Sequence, residues 1–97
     1  MEIRVKSLKF DADQKLLDFI EKKVSKIERF DETITDVEVA LALLEKPDNK
    51  SVKLQAHVPG GNLVIERSAK TFEEAVNDCV DAMKEKLVRN KEKRYEV

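Results

Sequence analysis

The spacing of the hydrophobic residues changes three times along this chain, and that succession of periods constrains the fold more than any other feature. Ile3 and Val5 stand apart by one polar residue, so the opening reads as a strand. Leu16, Leu17, Ile20, Val24 and Ile27 then recur at steps of three and four, which makes a buried helix face; Asp11, three residues before Gln14, has capping-box spacing for its start. From residue 36 the period returns to two. Val37, Val39, Leu41 and Leu43 are predicted to share the buried face of a second strand. After the turn chemistry of Pro47, Asp48 and Asn49, a third strand sends Val52, Leu54, Ala56 and Val58 inward and Lys53, Gln55 and His57 outward. Pro59-Gly60-Gly61-Asn62 supplies a tight hairpin, and Leu63 to Ser68 forms a fourth strand. Thr71 with Glu74 is a stronger capping box, opening a long helix whose stripe is Phe72, Val76, Cys79, Val80, Met83 and Leu87.

The order is therefore β-α-β-β-β-α, without the last strand of a ferredoxin-like fold. The expected class is α+β: one domain over residues 1–97, a four-stranded sheet with two roughly parallel helices on one face, in a dsRBD-like arrangement. Hydrophobic residues at 41% and a net charge of -1 do not fit the signature of a disordered chain. With 40% of residues charged and no apolar run near the length of a membrane span, no transmembrane helix is expected. The opening MEIRVKSLKF lacks the apolar region of an export signal, and one cysteine forms no internal disulfide, so the expected setting is the reducing cytoplasm. One histidine and that cysteine fall short of a zinc site; no metal and no cofactor are expected.

The charges are segregated. Residues 22–29 carry Lys22, Lys23, Lys26 and Arg29 against Glu28 alone, and residues 84–94 carry Lys84, Lys86, Arg89, Lys91, Lys93 and Arg94 against Glu85 and Glu92. Cations at a helix C-terminus complement the macrodipole, and that rule by itself accounts for part of the pattern. The topology adds to it: if both helices return in the same direction across one sheet face, their basic ends lie at the same end of the domain. Length sharpens the point, because Phe72 to Arg94 makes about 35 Å of helix against about 25 Å for a strand of seven or eight residues. About 10 Å of the last helix is predicted to overhang, with its core stripe replaced after Leu87 by Asn90, Lys91 and Arg94. The expected partner of such a surface is a polyanion.

Lys23 and Lys26 in KKVSKIERF, the turn in HVPGGN, and EEAVNDCVDAMKEKLVRNKEK in the last helix carry a family resemblance that spans nearly the whole chain. The sequence resembles the short ribosome hibernation-promoting factors, relatives of ribosome-associated inhibitor A. That resemblance implies a stress or stationary-phase protein that binds rRNA of the small ribosomal subunit and occludes the messenger and transfer RNA sites. By position, the implied RNA contacts are Lys23, Lys26, Arg89, Lys91 and Lys93; the charge pattern adds Lys22, Arg29, Lys84, Lys86 and Arg94. Relatives carry basic residues at the positions of Ala82 and Glu85, where this chain departs, which bears on footprint and affinity. Long relatives append a C-terminal dimerisation domain, and this sequence is expected to lack one.

Binding of this kind needs phosphate neutralisation and little base readout. Phe10, Phe19, Phe30 and Phe72 are expected in the core or on its flank; Tyr95, in the basic tail, is left between stacking on a base and fraying. His57 has no nameable nucleophile beside it, Cys79 lies on the apolar stripe, and Pro59-Gly60-Gly61 does not lead from a strand into a helix as a phosphate loop would. No enzymatic activity and no small-molecule substrate are expected. The competing reading is a protein-interaction module that uses the outward sheet face of Lys53, Gln55 and His57, with the basic helix ends only balancing dipoles.

Overall fold

A computed structural model describes the backbone of residues 1–95 and the side chains of residues 1–93. The expected Arg94 contact and the stacking of Tyr95 lie outside those described side chains. The elements are β1 (Glu2–Ser7), α1 (Gln14–Val24), a 3-10 turn (Ser25–Arg29), β2 (Asp36–Leu43), β3 (Lys50–Val58), β4 (Gly61–Ala69) and α2 (Phe72–Tyr95). The sheet runs β1-β2-β3-β4, with β1 parallel to β2 and the other two pairings antiparallel.

That register determines where the helices go. A parallel β1–β2 pair obliges α1 to run back against both strands, and β4 has the same direction as β2, so α2 also returns. Ile20, Val24 and Ile27 from the first helical segment meet Val37, Val39, Leu41, Val52, Leu54 and Ala56 of the sheet and Val76, Cys79, Val80, Met83 and Leu87 of α2 in one buried cluster. The opposite sheet face carries Arg4, Glu38, Lys53 and Glu66, all exposed. Both helices thus cover one face and end at the same end of the sheet. Among the described residues, no helix is long and apolar enough to cross a membrane.

Three local expectations are corrected. The cap of α1 is Asp13, whose Oδ1 accepts from the Leu16 amide at 2.8 Å, and not Asp11. Lys9 adopts a positive φ of 65° in the connection after β1, and the first helical residue is Gln14, whose side-chain amide donates to Asp18. Leu43 is 48% exposed, because β2 ends there and no helix extends over its last residue. The strands β3 and β4 are nine residues long, about 30 Å at the usual strand rise, against about 36 Å for α2. The length difference is therefore about 6 Å, smaller than predicted, yet Leu87 remains the last fully buried residue of α2 among the described side chains.

The β3–β4 hairpin pairs Val58 with Gly61, leaving Pro59-Gly60 as its two-residue turn, with Gly60 at φ +86°. Proline followed by a residue of positive φ is the pattern of a type II turn.

Candidate nucleic-acid interface

The first cationic arm begins in the last turn of α1, at Lys22 and Lys23, and continues where the helix tightens. Ser25 triggers that tightening locally: its hydroxyl donates to the Lys22 carbonyl at 3.0 Å, drawing a side chain into the helix end. Residues three apart eclipse in a 3-10 turn, so Lys26 and Arg29 stand on one edge. Ile27 between them stays fully buried and anchors the turn. Phe30 follows, its amide donating to the Ile27 carbonyl at 2.9 Å. The next loop is held by Asp31, whose carboxylate accepts from the backbone and hydroxyl of Thr33. Because Asp31 is itself buried, Phe30 is fixed on both sides.

The second arm comes from α2, started by Thr71, whose Oγ1 accepts from the Glu74 amide at 3.1 Å. The arms meet at Lys84. Its ammonium lies 5.7 Å from the centre of the Phe30 ring, within the range of a cation–π contact. Lys26 registers the junction electrostatically. Its ammonium is held below the usual lysine value first by Lys23, then by burial, then by Lys22, Lys84 and Arg29. Four neighbouring cations, one of them from the other helix, thus act on a single group.

The predicted residues do not all join this focus. Lys23, Lys26, Lys84 and Arg89 surround the junction; Phe30, Lys84, Val88 and Arg89, with Glu85 and Glu92, line an open groove of about 420 Å³. Lys23 lays its ammonium over the Phe19 ring at 5.7 Å. Lys22 faces the other flank of α1, beside Met1, Ile3 and Glu21. Arg29 sits among Ser25, Glu28 and Glu32 at the foot of the turn. Lys91 and Lys93 are exposed beyond Leu87. Lys86 turns away altogether and donates to the Val64 carbonyl of β4 at 3.1 Å. Among the described residues, none of Lys22, Lys23, Lys26, Arg29, Lys84, Lys86, Arg89, Lys91 and Lys93 forms an ion pair within 4.0 Å. Phe30 is half-buried and packs on the edge of the core, as expected of a flank residue, and also lines the groove, where sequence reasoning missed Val88 beside it.

The residues set aside as structural behave accordingly. His57 Nδ1 is 2.7 Å from the Asp36 carboxylate, which Arg4 also reaches, together with Glu38 and Glu2. Asp36 is held below the ordinary carboxylate range, first by its hydrogen bond to His57, with further help from Thr35 and Arg4. Cys79 is buried with its thiol on the Val52 carbonyl at 3.3 Å, and burial pushes it up to about 11, out of the range of a reactive thiolate. Phe10 and Phe72 stack with centroids 5.2 Å apart.

The chain is similar to known proteins over nearly its whole length. The family described as Sigma 54 modulation protein / S30EA ribosomal protein matches residues 3–95. A ribosome hibernation promoting factor of Azotobacter vinelandii is 28% identical over 96 residues, which are 99% of this chain and 88% of that protein. Among solved structures, the fold is similar to the Protein Y N-terminal domain of Thermus thermophilus, with a TM-score of 0.80, 22% identity, and 92% and 98% of the two chains covered. It is also similar to a ribosomal subunit interface protein from Coxiella burnetii, with a TM-score of 0.86, 18% identity, and 94% and 98% covered.

Proposed function

The chain belongs to the Sigma 54 modulation protein / S30EA ribosomal protein family, and from that premise we propose that it is a ribosome hibernation factor, binding rRNA of the small subunit and occluding the messenger and transfer RNA sites. The observation that carries this reading is the junction of the two helical arms, where Lys23, Lys22, Lys84 and Arg29 crowd Lys26 and hold it below the usual lysine value, with no carboxylate within ion-pair distance of it among the described residues. A folded protein tolerates such repulsion where a polyanion relieves it on binding. The similar proteins named for ribosome hibernation and for the ribosomal subunit interface support ribosomal phosphate as that polyanion.

The action is occlusion by a rigid surface, in the cytoplasm and under stress, with no catalytic step, cofactor or small-molecule substrate. The rival reading, a protein-binding sheet face, gains little support, because the polar groups at one end of that face satisfy each other: Arg4 with Glu2, Asp36 and Glu38, and His57 with Asp36.

The test is co-sedimentation of the protein with purified small subunits through a salt series. About six phosphate contacts predict a loss of about 10³-fold in affinity between 50 and 200 mM salt. Reversing the charge at Lys23, Lys26, Arg89 and Lys91 together is expected to abolish co-sedimentation at low salt while leaving the circular dichroism spectrum unchanged. Undiminished sedimentation of that variant defeats the proposal.

A further inference from the structure

The lysines at the helix junction are not equivalent. Lys23 rests over the Phe19 ring and Lys84 over the Phe30 ring, each at 5.7 Å, while Lys86 donates to the Val64 carbonyl. Lys22 faces the flank of α1 that carries Asp18, Glu21 and Glu28. Lys26, in their midst, has no ring, acceptor or carboxylate as a partner among the described residues. Glu28, the acid nearest to it in sequence, turns instead to the Met1 amino group at 3.6 Å. The side chain of Lys26 is half-buried and so still reached by solvent. Its ammonium is held below the usual lysine value first by Lys23, then by burial, then by Lys22, Lys84 and Arg29. A lysine crowded by other cations gives up its proton more readily and becomes a nucleophile, whereas an arginine in the same place stays charged.

We propose that Lys26 is a modification site, the preferred acceptor on this chain of an acyl group from an anionic donor of the acyl phosphate class. The neutral amine attacks the acyl carbon; the new C–N bond forms as the C–O bond to phosphate breaks, inorganic phosphate leaves with the electron pair, and the amine proton passes to water. Lys22, Lys23, Arg29 and Lys84 serve this step twice. They favour the neutral amine, and they draw the donor's phosphate to the same place, because a surface of one sign raises the local concentration of counter-ions. The product is a neutral amide, so acylation strips one charge from the junction of the two arms and removes a contact for phosphate. That consequence rests on the RNA-binding reading above, to which it adds a chemical means of release: the same crowding that suits the junction to a polyanion exposes its central lysine to acylation when no polyanion covers it.

The experiment treats the folded protein briefly with acetyl phosphate at low salt and follows the initial acetylation rate at each lysine by peptide mass spectrometry. Lys26 is expected to react about tenfold faster than Lys46 and Lys70, which are exposed at the opposite end of the sheet, and faster than the ring-held Lys23 and Lys84. At about 1 M salt, where the screening length falls to about 3 Å, that excess should shrink towards parity. A rate at Lys26 no higher than at Lys46 and Lys70 in low salt would overturn the proposal, and so would a preference untouched by salt. Co-sedimentation then reads the consequence. Treated wild type is expected to lose binding to small subunits, whereas Lys26→Arg given the same treatment should retain most of it, because arginine keeps the charge and accepts no acyl group. Equal losses in the two proteins would overturn the assignment of Lys26 as the point of release. Untreated wild type that fails to sediment defeats the hibernation reading instead, and the acetylation rates then decide by themselves whether Lys26 is the preferred acceptor.

Discussion

Lys84 in the middle of α2 holds its ammonium 5.7 Å from the centre of the Phe30 ring, so the two cationic arms are joined through an aromatic face. Two residues further along, Lys86 is tied to the Val64 carbonyl on the far side of the same helix. The two lysines are neighbours in sequence and belong to different surfaces. Lys84→Glu is therefore expected to weaken small-subunit binding strongly and to reduce the slope of log affinity against log salt by about one or more. Lys86→Glu is expected to change that slope less. Parallel salt titrations of the two variants measure the difference, and equal effects would mean that the phosphate surface wraps around α2.

Lys26 sits in a field of other cations and is held below the usual lysine value, chiefly by Lys23. A lysine lowered on folding destabilises the native state at every pH below its native value, and the penalty is relieved only as pH rises towards the unfolded lysine value of about 10.4. Lys26→Gln is accordingly expected to raise the urea midpoint at neutral pH and low salt. At about 1 M salt, where the Debye length falls to about 3 Å, the advantage should shrink towards zero. The same variant is expected to bind ribosomal subunits less well, an exchange of stability for function at one position.

Asp36 works in the opposite sense. Its carboxylate is lowered first by His57 and further by Thr35 and Arg4, so the stability it contributes is complete above the unfolded aspartate value of about 3.9 and is lost as pH falls through the lower native value. Asp36→Asn should reduce stability at pH 7, and the gap from the wild type should narrow below about pH 4. Urea unfolding at pH 7 and pH 3 checks this; a gap independent of pH would assign the effect to something other than ionisation.

The hairpin glycines give a contrast that isolates backbone conformation from packing. An added Cβ at Gly60 or at Gly61 meets nothing within 4 Å, but Gly60 has a φ of +86°. Gly60→Ala should cost about 1 kcal/mol or more, the penalty of a left-handed backbone for an L-residue. Gly61→Ala should be neutral or stabilising by up to about 1 kcal/mol, through the unfolded chain. Thermal melts of the two variants make the comparison.

Much of this fold was legible because the hydrophobic period switches cleanly between helix and strand, and because Thr71 marks the start of α2 without ambiguity. The convergence of the basic ends followed from topology alone, since the parallel β1–β2 pairing leaves α1 and α2 one common direction. What escaped was decided by contacts distant in sequence or by backbone geometry. Asp11 and Asp13 both precede a helical pattern, and only the hydrogen bond from the Leu16 amide picks out Asp13. Lys84 and Lys86 look alike in a charge tally, yet one reaches Phe30 across the helix junction and the other reaches β4. Phe30, expected at the core or its flank, also lines the groove beside Lys84 and Val88, a relationship that no local pattern announces.

Leu87 is the last point at which the core holds α2. Among the described residues beyond it, Asn90 is half-buried while Lys91, Glu92 and Lys93 are exposed, so the reach of this segment depends little on the core. Each turn added or removed there would shift charged groups by about 5.4 Å with little of the core to repack, so the span of this charged segment can change at small cost to folding.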